Sequence, residues 1–107
     1  MFTVEFYMTE NENCPMVDYL EGLDNKTKAK VMSNIQTLSL RGNQLKEPFT
    51  KSLDDGLFEL RTITSNTHER SIFFFMKGKR IIMTNGFTKK SNKTPRKEIE
   101  KSKELQR

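Results

Sequence analysis

Between Leu57 and Phe87 three short apolar segments follow one another, Leu57 to Ile63, Arg70 to Met76 and Arg80 to Phe87. Only the polar SNTHE stretch and the tight Lys77-Gly78-Lys79 turn separate them. Strand-like runs joined this closely predict an antiparallel meander, which commits most of the core to one small sheet. The strands also carry isolated charges, and side chains on a strand have fixed directions. Arginines held this way are well suited to gripping phosphate. With 107 residues, of which 34% are hydrophobic, the chain has material for a single domain, residues 1–107, and one modest core.

Upstream, Phe2 to Met8 reads FTVEFYM, aromatic and β-branched, and predicts a first strand. Pro15 fits a first helical position, and Met16, Val17, Leu20 and Leu23 recur at helical spacing up to a stop near Gly22. Asp24 or Asn25 can cap a second helix whose stripe is Val31, Met32, Ile35 and Leu38, with Gly42 as its stop. The segment NQLKEPFTKSLDDG has no clear period and reads as a connecting loop, long enough to line a cleft. Thr94 followed by Pro95 marks the start of a final helix running to Arg107. That helix is almost wholly polar, so it is expected to be held loosely or by a partner. The order gives an α+β fold, with two N-terminal helices packed on the sheet and a short C-terminal helix.

Charge is distributed unevenly. Met1 to Asp24 holds six acids and no base, and the remaining 83 residues carry a net +11. From Lys77 onward there are eleven bases and three acids, an asymmetry that favours a polyanionic partner, nucleic acid first. One cysteine, Cys14, and one histidine, His68, cannot make a disulfide or the usual zinc site, so no metal or cofactor is expected. No apolar run approaches the ~18 residues of a membrane span, and the N-terminus lacks the basic region of a signal peptide. A cytoplasmic protein without membrane contact is the expectation.

The bases can be placed by pairing strands. Centring the first hairpin on SNTHE puts Arg61 opposite Arg70, and centring the second on Gly78 puts Arg70 opposite Gly86. Paired residues share a face, so Arg61, Arg70, Lys89 and Lys90 converge at one sheet end. Glu59, two residues before Arg61, falls on the same face and can orient a guanidinium. Two apposed arginines repel each other unless a carboxylate or phosphate lies between them, which points to a ligand site. Phe73, Phe74 and Phe75 read as core, and Phe87 is the better base-stacking candidate. His68 falls in the predicted SNTHE loop, where it could in principle act as a general base, but without an evident carboxylate or nucleophile partner it reads as a solvated side chain. No Ser, His, Asp arrangement and no glycine-rich phosphate loop is present, which argues against triad-hydrolase and nucleotide-binding readings.

Lys51-Ser-Leu, GLFELR, the arginine opening the next strand, FFF with GKRI, and NGFTKK with KTP together resemble the HigB-like, phage-associated branch of the RelE/ParE toxin superfamily. The resemblance spans most of the chain. It implies a toxin of a type II toxin-antitoxin pair, built as a small twisted antiparallel RelE-like sheet with helices against it. It also implies cleavage of mRNA in the A site of the 70S ribosome without a metal, and a separate helix-turn-helix antitoxin forming a hetero-oligomer with the toxin. Lys51, Arg61, Arg70, Lys89 and Lys90 match the basic strand and loop positions, as does Lys93. The chain departs from the pattern in having no histidine or tyrosine just after the last strand. In the implied chemistry a ribose 2′-hydroxyl attacks the adjacent phosphate, Arg61 and Arg70 stabilise the transition state, and Lys90 or Lys89 accepts the proton. Lys51, Lys93 and Phe87 would contact RNA, with Glu59 orienting Arg61. The alternative within the superfamily is a ParE-like DNA gyrase inhibitor that cuts nothing.

Overall fold

A computed structural model describes residues 1–89 and 94–106. The chain runs β1 (Thr3–Phe6), α1 (Pro15–Glu21), α2 (Asn25–Arg41), a 3-10 turn (Gly42–Gln44), β2 (Thr50–Ser52), β3 (Phe58–Ile63), β4 (His68–Met76), β5 (Arg80–Lys89) and α3 (Arg96–Gln106). The five strands form one sheet in the order β1-β5-β4-β3-β2. Both helices of the N-terminal half pack on one face of it, where Met16, Leu20, Val31, Ile35 and Leu38 join Leu60, Phe73, Ile81 and Met83 in the core.

The meander β3-β4-β5 is antiparallel as expected, but β1 pairs β5 in parallel, Thr3 opposite Arg80 through Phe6 opposite Met83, so the sheet is mixed. Both helices and three strands separate β1 from β5 in the chain, a connection long enough to bring the two strands together in parallel. The connecting segment also contributes more than a loop. Its residues Thr50–Ser52 pair antiparallel with β3 and form the sheet's edge, too short a run to show alternation.

Local chemistry explains the helix ends. Asp24 accepts the Thr27 amide at 2.8 Å and caps α2, and Pro15 opens α1. At the far end of α2, Gly42 has φ +54°, and a Cβ there would fall within the Phe2 ring. Not every residue of the expected stripes is buried: Val17 and Met32 are exposed, because each lies on the flank of its helix turned away from the sheet. Among the phenylalanines, Phe73 is buried and packs against Phe58 and Phe75 at 5.6 Å between ring centroids, in keeping with a core role.

The other face of the sheet receives α3. This helix spans Arg96–Gln106 and begins two residues after Thr94, whose hydroxyl is engaged elsewhere; Arg107 lies outside the described residues. Polar contacts hold it. Ser102 is fully buried and donates to Asn85 Oδ1 at 2.6 Å, and Asn85 Nδ2 donates to Glu98 at 2.9 Å. Lys103 and Arg96 pair with Asp55 and Asp54 at 3.0 and 3.3 Å. The expected loose attachment is therefore replaced by a buried polar seam, whose residues look like ordinary surface residues in the sequence.

Candidate functional site

The site is built on the α3 side of the sheet, from residues that the strand register brings to one face. Arg61 stands directly opposite Arg70, as the hairpin pairing predicts. Arg70 then faces Phe87 and not Gly86, because the register of β4 and β5 shifts between Ile72 and Phe73 and leaves Thr84 as an extra residue in β5. The shift moves Phe87 and Lys89 onto the arginine face, and moves Gly86 to the opposite one. There Tyr19 of α1 packs so closely on Gly86 that a Cβ would overlap its ring.

Glu59 is the centre of the cluster. Its side chain is 1% exposed, receives Arg61 Nε at 3.1 Å and lies 3.3 Å from Arg70 Nε. Thr94, at the entry to α3, donates its hydroxyl to the second carboxylate oxygen. The sequence pattern suggests a helix cap at Thr94; instead it latches the chain before α3 to the buried carboxylate. One Glu59 thus relieves the repulsion between two arginines, and the burial of its charge is compensated by the Arg61 and Thr94 donors and by the adjacent Arg70 cation.

The two arginines are not equivalent. Arg61 is 19% exposed at its side chain and Arg70 5%, so Arg61 is the guanidinium that reaches solvent. Arg70 Nη1 donates to the Glu69 carbonyl at 3.1 Å, while its Nε, near Glu59 but poorly aligned, is a buried polar atom with no hydrogen-bond partner among the described residues. Burial, opposed by Glu59 and reinforced by Arg61, lowers the Arg70 pKa, although a guanidinium stays charged throughout the physiological range.

Lys89 lies opposite His68 and is half-buried. Its pKa is lowered by burial first, then by the charge of Arg70, with Arg61 and Lys51 adding to the effect and Glu59 opposing it. Lys51 stands opposite Glu59 on the same face and is exposed. The expected residues Lys51, Glu59, Arg61, Arg70, Phe87 and Lys89 therefore share one face, while Lys90 and Lys93 fall outside the described residues. His68 is not in a loop. It is the first residue of β4, exposed, and by alternation it lies on the face of Arg70. The alternation of His68, Arg70 and Ile72 across HERSI is the sequence signal for that placement.

On the opposite face of the same strand end, Glu69 accepts the Tyr19 hydroxyl at 2.8 Å and the Thr88 hydroxyl at 2.9 Å. This trio anchors α1 beneath the site. Among the described residues no helix is long and apolar enough to cross a membrane.

A family model described as Phage derived protein Gp49-like (DUF891) matches residues 18–107, which takes in every residue named in the site. Among curated proteins no match was found.

Proposed function

The chain belongs to the Gp49-like family of phage-derived proteins, a toxin family of RelE and HigB type, and from that premise we propose that it is the toxin of a toxin-antitoxin pair and acts as an endoribonuclease on messenger RNA engaged by the ribosome. The observation that carries this reading is the pairing of Arg61 and Arg70 across one buried carboxylate, with Lys89 on the same face. A surface built only to bind another protein has little need of two apposed guanidiniums.

The mechanism follows from the distribution of charge. Arg61, open to solvent, contacts the scissile phosphate with planar donors while Glu59 fixes its Nε. Arg70 contributes a cation held in a low-dielectric setting, where its field on the developing negative charge is strongest. Lys89 takes part in proton transfer, since a lysine with a lowered pKa exchanges its proton more readily near neutral pH. Lys51 and Phe87 hold the neighbouring nucleotides by phosphate contact and stacking, and Lys90 and Lys93, next in the sequence, add positive charge. A helix-turn-helix antitoxin with an acidic surface is the partner that such a basic face calls for.

Primer extension on a defined messenger RNA in a reconstituted translation reaction, with and without ribosomes, tests the reading. Cuts within codons that appear only with ribosomes are expected. Cuts on free RNA would make the protein a ribosome-independent nuclease. An absence of cuts together with loss of DNA supercoiling by gyrase would overturn nuclease action. Arg61→Ala is expected to abolish growth inhibition while leaving the antitoxin complex intact; full toxicity in this folded variant would remove Arg61 from the mechanism.

A further inference from the structure

We infer that His68 is a catalytic residue of this site, the general base that accepts the 2′-hydroxyl proton, with the Lys89 ammonium opposite it protonating the departing 5′-oxygen. The inference rests on the RNA-cleaving reading and deepens it by assigning the two proton-transfer roles.

Position carries the argument. His68 pairs with Ile63 on β3 and with Lys89 on β5, and it precedes Arg70 by two residues on β4. Side chains at i and i+2 of a strand stand on one face about 6.6 Å apart, and directly opposed pairs about 5 Å apart. A phosphate held by Arg61 beside the buried Arg70 therefore has the imidazole on one side, within the span of one nucleotide. His68 is exposed, as a residue that meets substrate has to be, and the chain contains no other histidine.

Among the described residues, the groups facing His68 can be named by element. β5 presents Lys89 and Phe87, β3 presents Ile63 and Arg61, and Arg70 follows on its own strand. The Lys30 ammonium of α2 reaches the same sheet end, donating to the Ile63 carbonyl at 2.7 Å. Glu69, the nearest carboxylate in sequence, points to the other face and is bound to Tyr19 and Thr88. Imidazole is the side chain that most often serves as a general base in catalysis.

The step balances. The 2′-oxygen bonds to phosphorus as its proton passes to an imidazole nitrogen, the bond from phosphorus to the 5′-oxygen breaks, and that oxygen takes a proton from Lys89. The products are a 2′,3′-cyclic phosphate and a 5′-hydroxyl. Solvent then removes the proton from the imidazolium and returns one to Lys89.

The test is single-turnover cleavage of ribosome-bound messenger RNA by the wild-type protein, His68→Ala and His68→Gln between pH 5 and 9. Affinity for the programmed ribosome and melting temperature are measured alongside. Expected are a fall in rate of roughly 100- to 10,000-fold, unchanged affinity, loss of the acidic limb of the wild-type pH–rate profile, and partial rescue of His68→Ala by free imidazole. A rate within about threefold of wild type with the acidic limb retained, or a loss of rate matched by loss of affinity, overturns the assignment while cleavage itself stands. If the wild-type protein cuts no RNA, the cleavage reading falls and the assignment falls with it.

Discussion

At Glu59 a single carboxylate meets two guanidiniums and one hydroxyl, all within the enclosed part of the sheet. Its removal leaves Arg61 and Arg70 side by side without the carboxylate that both contact, and the repulsion acts through a medium that screens poorly. Breaking a buried pair from one side costs about 3–5 kcal/mol, so Glu59→Ala is expected to lose that much stability in equilibrium urea unfolding. A loss below about 1 kcal/mol would mean that the carboxylate is not the group that makes the apposed arginines tolerable. The same residue shows how much of the site is legible in the sequence. Strand alternation by itself places Glu59 and Arg61 on one face, and a hairpin centred on SNTHE pairs Arg61 with Arg70. Thr94 is not legible as a Glu59 partner, because it is 35 positions away and a threonine before proline is ordinarily read as a helix start.

At the level of elements, the junction of α1 with β5 fixes the floor of the site. Tyr19 lies flat on Gly86 and hands its hydroxyl to Glu69, so the glycine in the NGF sequence is required by a ring from another element. Gly86→Ala is expected to displace Tyr19 and cost about 1–3 kcal/mol, the usual range for overpacking, with the deficit reduced when Tyr19→Ala is added. Independent, additive losses in that double-mutant cycle would reject the contact. The Tyr19 phenol also carries a pH signature. Burial first, then the hydrogen bond to Glu69, raise its pKa, so the folded protein keeps it protonated while the unfolded chain ionises it near pH 10. The contribution is therefore fully present below about pH 10 and is lost as pH rises toward the folded value. Ultraviolet titration of phenolate should show Tyr19 ionising only together with unfolding; a normal titration in a folded sample would contradict its burial. Both N-terminal helices and the meander can be read from periodicity. The parallel placement of β1 and the extra Thr84 cannot, because both depend on how distant segments settle against each other and neither alters the local pattern. That one inserted residue is the reason Arg70 faces Phe87 and not Gly86.

Across the whole molecule, charge is partitioned along the chain as well as in space, with six acids and no base before Lys26 and a surplus of bases after it. Lys51, Arg61, Arg70 and Lys89 gather on one face of the sheet, and the short acidic stretch Asp54 and Asp55 is already occupied by Arg96 and Lys103 of α3. Arg61 and Arg70 share Glu59 as their neutralising carboxylate. A single-stranded RNA neutralised by such a face releases about 0.7 counterion per phosphate contacted. With three to four contacts, the logarithm of the affinity is expected to fall against the logarithm of salt concentration with a slope of about −2 to −3, a loss of roughly 15- to 60-fold between 50 and 200 mM. Fluorescence anisotropy with a short RNA measures it, and Arg61→Ala should make the slope shallower by about 0.7. Wild-type binding insensitive to salt would mean that phosphate is not what the face recognises. An unchanged slope in the variant would place the contacts on other bases and leave the apposed arginines a structural pair.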